Sequence, residues 1–329
     1  MYTGREIKTR IVLSFAWKPI LFFIIYSTVL CTISSATGLT LGITFVPVGL
    51  IGTAVAFYVG FKNNSSYERL WEARRIWGSI VNASRTWGTY VSTYIQSPEM
   101  GAGSTKSQLI HRHIAYINAV RIQLRAKSVW NDTHSTAHTI VEDQHIPADS
   151  SMAEVLSRFV SKEEAAYFMS KKNPATHIMK AQAQQLEREF RAGRINELFF
   201  FQMMSVVQEF YAQQGAAERI KNFPFPRQYA YFSKVFVWLF ILILPFGLTT
   251  EFSKLGDGLL WLAIPSYVVI AWVFFTMEIV GDTSENPFEN AINDIPMTSI
   301  CRTIEIDLRE MLEETDVPAP ITAINNILM

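Results

Sequence analysis

Apolar residues gather along this chain into four long runs, near 11–33, 39–61, 229–249 and 258–280. Each is close to the length a helix needs to cross the hydrocarbon of a bilayer. The polar joints SSATG and TTEFSKLGDG tie the runs into two hairpins. Between the hairpins, residues 62–228 are too polar for lipid, yet apolar positions recur at three- and four-residue spacing near 64–96, 105–128, 151–171 and 175–220. That spacing predicts helices. Gly101, Gly103 and Ser104 mark a turn, the aperiodic stretch 131–150 reads as a loop, and Pro224 and Pro226 stop the chain ahead of the third span. The pattern therefore predicts an all-α membrane protein with four transmembrane helices per subunit and a helical cytoplasmic domain. Its parts are 1–62 with the first two spans, 63–228, 229–281 with the last two, and a C-terminal segment 282–329.

Basic residues give the orientation. Arg5, Lys8 and Arg10 precede the first span, Lys62, Arg69, Arg74 and Arg75 follow the second, and Lys221 and Arg227 precede the third, while the hairpin tips carry only Lys254. By the positive-inside rule both termini and the central region face the cytoplasm, in a multi-pass protein of the cell (inner) membrane. The first run is too long for a signal-peptide core and is predicted to stay in place. Lys18 and Lys234, near span ends, are predicted to snorkel.

Composition agrees with a membrane protein carrying a large wet portion: 49% of residues are apolar and 18% charged, against roughly 25% charged in soluble domains. Lys plus Arg and Asp plus Glu both number 29, so no electrostatic case exists for nucleic acid. Cys31 and Cys301 make neither a disulfide framework nor a zinc spacing. Phosphate loops, nucleophile elbows and metalloprotease patterns are missing from the sequence, so the chain is not read as an enzyme and no cofactor is expected.

The second run carries the most informative register. Thr53, Phe57 and Phe61 are four apart and share a helix face, beside a small-residue stripe of Gly49, Gly52, Ala56 and Gly60. Small residues let helices approach closely in lipid. Several copies of this helix around an axis would turn the hydroxyl and phenyl groups to a shared lumen. Pro47 near its start predicts a kink or a frayed first turn. The run then passes into a polar, aromatic stretch containing Asn63, Asn64, Tyr67, Arg69, Trp71, Glu72 and Trp77, read as lining or bracing a vestibule below that lumen.

The stretch GFKNNSSYERLWEARRIWGSIVNASR resembles the signature of the bestrophin family, especially its bacterial branch. A second match is GDTSENPFENAINDIP, with Asn286, Pro287 and Phe288, and a third lies at 223–227. The resemblance covers about residues 5–310. It implies a homopentameric ion channel whose partners are its own copies, the bilayer and permeant small ions. It places a narrow neck on Thr53, Phe57 and Phe61 and a second constriction on Leu198 or Phe199, depending on whether the Gly193-Arg194-Ile195 run or Gly215 is aligned.

Animal bestrophins bind calcium after the Asn-Pro-Phe motif; here the positions hold Glu289, Asn290, Ala291, Asn293 and Asp294, thin in charge for an ion that takes six to eight oxygens. Phenyl edges carry partial positive charge, so the neck leans toward chloride and similar anions. A sodium-selective channel with the same path is the alternative. A remoter one is a membrane metal oxidoreductase or sensor using His134 and His138, His111 and His113, His145 or His177, although the histidines are read as solvated.

Overall fold

A computed structural model describes residues 1–6, 9–37, 42–96, 103–126 and 151–329. Among these, ten α-helices succeed one another along the chain. Helix α1 is Thr9–Thr37, α2 Phe45–Tyr94, α3 Thr105–Arg125, α4 Met152–Phe159 and α5 Lys162–Met169. Then come α6 Pro174–Arg191, α7 Glu197–Asn222, α8 Arg227–Ser253, α9 Ala263–Thr283 and α10 Met297–Met311. Four of the helices, α1, α2, α8 and α9, contain segments long and apolar enough to cross a membrane. The first helix of each hairpin runs further than predicted: α1 continues to Thr37 through SSAT, and α8 reaches Ser253.

Helix α2 governs the architecture. At 50 residues it measures about 75 Å at 1.5 Å per residue, more than twice the hydrocarbon thickness. It starts without a side-chain cap at Thr44, and Pro47 sits in its first turn, where a missing N–H leaves no helical bond unmade. No proline or positive-φ residue interrupts it below that point.

Two hydrophobic cores use two stretches of the inner face of α2. In the apolar half, Val48, Val55 and Val59 pack with Phe23, Val237, Phe240, Leu244, Tyr267 and Ala271. Aromatic edges lock this cluster, with Phe23 and Tyr267 at 6.0 Å and Phe240 and Phe274 at 4.6 Å between centroids. In the polar half, Ala73, Ile76, Trp77, Ile80, Trp87 and Val91 join residues of α3, α6, α7 and α10. Helix α10 reaches this core because Gly88 lets it in: a Cβ there would lie 2.5 Å from Leu308 and 2.6 Å from Met311.

Two predicted helices are each broken in two. Residues 151–171 split because Val160 turns extended and Ser161 caps a new helix, its Oγ accepting from Glu164 N at 3.2 Å. Residues 175–220 split because Gly193 takes a left-handed φ of 71°, and Asn196 Oδ1 caps α7 by accepting from Leu198 N at 2.9 Å. Of the predicted turn before α3, Gly103 takes φ 99° and Ser104 is the cap, while Gly101 lies outside the described residues. The loop predicted over 131–150 lies outside the described residues. Beyond α10 the chain folds back, and Thr3 N donates to Asn326 O at 2.8 Å.

Replacing Gly88 by valine is expected to push α10 away and cost about 1–3 kcal/mol. Thermal unfolding of the detergent-solubilised protein checks this; an unchanged midpoint would count against the close crossing.

Candidate functional site

The polar segment of α2 divides its side chains between two faces. On the inner face Lys62 is fully buried and its Nζ meets Glu278 Oε1 at 2.5 Å, while Ser233 Oγ donates to Glu278 Oε2 at 2.6 Å. One carboxylate thus joins α2, α8 and α9 where the apolar core ends. One residue on, Asn63 Nδ2 donates to the Met277 carbonyl at 3.0 Å. Gly281 makes room for it, since a Cβ there would collide with Asn63 Oδ1. Two turns lower, Arg69 donates to the carbonyls of Glu285, Ile220 and Phe223 at 3.1, 3.0 and 3.1 Å. The last two are C-terminal carbonyls of α7 with no helical donor of their own, which a guanidinium fork satisfies. Trp77 is buried in the lower core.

The outer face carries the rest. Phe57 and Phe61 are 66% and 65% exposed, and Thr53 is exposed with its Oγ donating to Gly49 O at 3.0 Å. Exposed Asn64, Tyr67, Glu68, Trp71 and Arg75 continue the same side downward. Asn64 Nδ2 donates to Glu68 Oε1 at 2.9 Å, Tyr67 and Trp71 rings stack at 6.4 Å, the Arg74 guanidinium lies 5.8 Å from the Trp71 ring, and Arg75 pairs with Glu72. The motif is therefore half brace and half outward surface.

The small-residue stripe is not uniformly exposed. Gly52 is buried within the chain, where a Cβ would fall 2.6 Å from the Phe240 ring. Gly60, by contrast, has open space around it, and Gly49 and Ala56 are half-buried. At the start of α7, Leu198 is 62% exposed, whereas Phe199 stacks flat on Tyr94 with centroids 3.8 Å apart. Phe201, on the same side as Leu198, is 62% exposed too. Gln96 N donates to Arg194 O at 2.9 Å, fastening the turn before α7 to the foot of α2.

The loop after α9 closes on itself. Phe288 is buried in the lower core and Pro287 O accepts from Ile295 N at 3.2 Å. Asp294 Oδ2 accepts from Ala291 N at 3.0 Å, and burial pushes its carboxyl up to about 7. Glu289 faces Lys221 Nζ at 3.3 Å, and Asn290 takes a left-handed φ of 71° with its Oδ1 buried. Both carboxylates are engaged, so this donor set does not fit the oxygen cage that calcium requires. Among the described residues no three His, Cys, Asp or Glu side chains gather as a metal site.

One histidine reading is corrected. His113 is not solvated but fully buried, 2.9 Å from Ser84 Oγ and 4.5 Å from the Phe210 ring, and burial pushes its imidazole down to about 3. His111 is half-buried, and His134, His138 and His145 lie outside the described residues. The two cysteines are free and buried. The Lys62, Ser233 and Glu278 triad is the part that pattern reading missed. Its signal is the acid that interrupts the fourth apolar run.

Fold and site together define an all-helical, four-span membrane protein whose second span is prolonged into an extramembrane helical bundle. The chain belongs to the bestrophin family: residues 5–310 match the family described as bacterial/fungal bestrophin protein. It is 26% identical over 285 residues to the voltage-dependent anion channel-forming protein YneE of Escherichia coli K12, covering 87% of this chain and 82% of that one. It is 27% identical over 293 residues to the voltage-dependent anion channel-forming protein mll4386 of Mesorhizobium japonicum, covering 89% and 83%. A crystal structure of a bacterial bestrophin homologue from Klebsiella pneumoniae superposes with a TM-score of 0.73 at 22% identity, covering 90% of this chain and 97% of that one. The family read from the motif is borne out.

Breaking the buried triad on one side is expected to be costly. Lys62→Met leaves Glu278 buried without its cation, at about 3–5 kcal/mol. Adding Glu278→Leu should recover most of that. A double-mutant cycle of thermal stability in detergent reads the coupling, and additive losses would contradict it.

Proposed function

We propose that this chain is one subunit of a homopentameric ion channel in the cell membrane, with both termini on the cytoplasmic side, conducting mainly chloride and similar anions. The observation that carries the reading is the outer face of α2. Large phenyl groups at Phe57 and Phe61 stand uncovered by their own chain, on a helix whose opposite face is fixed by two cores and a buried ion pair. Below them the same side is polar and charged, which suits a water-filled cavity and not acyl chains. Family membership and relatives named as anion channel-forming proteins point the same way.

In this reading Thr53, Phe57 and Phe61 form the neck. Ions rearrange their water there against phenyl edges whose partial positive charge favours anions. Thr53 has spent its hydroxyl proton on Gly49, so it offers oxygen lone pairs to water or to a passing ion. The cytosolic constriction falls on Leu198, not on Phe199, because the Phe199 ring is occupied by Tyr94. Gly49, Ala56 and Gly60 remain available for contact between neighbouring copies, while Gly52 serves its own protomer.

Phe57→Ala is expected to widen the neck and raise single-channel conductance in planar bilayers. Leu198→Ala should raise it less, since Phe201 stays on the same surface. Unchanged current through Phe57→Ala channels would reject the lining.

A further inference from the structure

The exposed register of α2 continues past the neck without a break. At 3.6 residues per turn, positions 64, 68, 71 and 75 all fall within about 40° of the mean direction of positions 53, 57 and 61. All four of those lower residues are exposed: Asn64, Glu68, Trp71 and Arg75. Glu68 lies seven residues beyond Phe61, about 10 Å lower along the axis and within about 20° of its direction.

The charges on this stretch are not equivalent. Arg75 is paired with Glu72 on its own helix, and Arg74 is turned aside over the Trp71 ring. Arg69 points inward to three carbonyls, and Lys62 is buried on Glu278. Glu68 has no cationic partner among the described residues; its carboxylate is held by a neutral donor, Asn64 Nδ2, at 2.9 Å. The amide fixes the position of the carboxylate without cancelling its charge. Any arrangement that brings Phe61 to a shared lumen also brings a ring of these carboxylates to its lower mouth.

We propose that Glu68, held by Asn64, is the residue that sets the balance between anions and cations in this channel, as a negative ring at the cytosolic mouth of the neck. The proposal rests on the pore reading above. The ring opposes the anion preference of the phenyl neck and admits cations beside anions; its strength is tuned by one side chain per subunit. Charges about 10 Å from the constriction act through water and are partly screened at physiological salt, so the expected effect is moderate.

The test uses the whole protein reconstituted in planar bilayers under a sodium chloride gradient. Glu68→Gln should move the reversal potential toward the chloride equilibrium value and raise the chloride-to-sodium permeability ratio about threefold. Glu68→Lys should move it further the same way. Both side chains are accommodated because Glu68 packs against no core. Reversal potentials unchanged in both variants, while Phe57→Ala still alters conductance, would overturn the role of Glu68 and leave the neck standing. If Phe57→Ala is silent as well, the pore reading falls and takes this proposal with it.

Discussion

The register of one helix is what everything outward of it depends on, and that register is fixed by a buried charge. Lys62 and Glu278 meet at the level where apolar packing ends and polar packing begins, with Ser233 filling the second carboxylate oxygen. A buried ion pair is poor evidence of net stability, but separating its partners leaves an uncompensated buried charge at a cost of about 3–5 kcal/mol. Rotating α2 by one residue would turn Lys62 about 100° away from Glu278 and strand that carboxylate. Asn63 against Gly281 and Arg69 on the end of α7 repeat the constraint in the turns below. The outward direction of Phe57 and Phe61 is the complement of these inward bonds.

This explains why so much of the bestrophin signature is polar without being catalytic. Its residues alternate between fastening and facing, because a helix that crosses from lipid to water must be gripped where its packing partners change. The upper core holds α2 with Val48, Val55 and Val59, the lower one with Ala73, Ile76 and Trp77. Neither reaches residues 62–69, and there hydrogen bonds take over. The turn before α7 is hung from the foot of α2 by the Gln96 to Arg194 backbone bond, so the two candidate constrictions share one rigid rod.

Periodicity accounts for the part of the fold that is legible in the sequence. Four apolar runs, the Thr53, Phe57 and Phe61 stripe, and the proline stop at 224–226 all read directly, because length and spacing alone determine them. The breaks inside 151–171 and 175–220 do not, since helix propensity stays high on both sides and the decision lies with one left-handed glycine and two caps. His113 escapes a sequence reading for a different reason. Its helix, α3, is buried around nearly its whole circumference from Leu109 to Leu124, so polar residues on it are interior by default and periodicity carries no contrast. Leu198 and Phe199 are adjacent in sequence, and what distinguishes them, the exposure of one and the stacking of the other on Tyr94, is visible only in the fold.

The loop after α9 illustrates how a family position changes its chemistry. An acidic loop must either recruit a cation or neutralise itself. This chain takes the second course: Lys221 of α7 reaches Glu289, and Asp294 turns inward to backbone amides at a depth where burial favours its protonated form. Arg69 ties the same end of α7, through Ile220 and Phe223, to α2. The loop is thereby linked through α7 to the helix that carries Phe57 and Phe61. Loop and outward-facing helix are thus joined through one ion pair and the Arg69 hydrogen bonds. In the proposed channel this leaves the neck, Leu198 and the charge between them as the places where current is controlled.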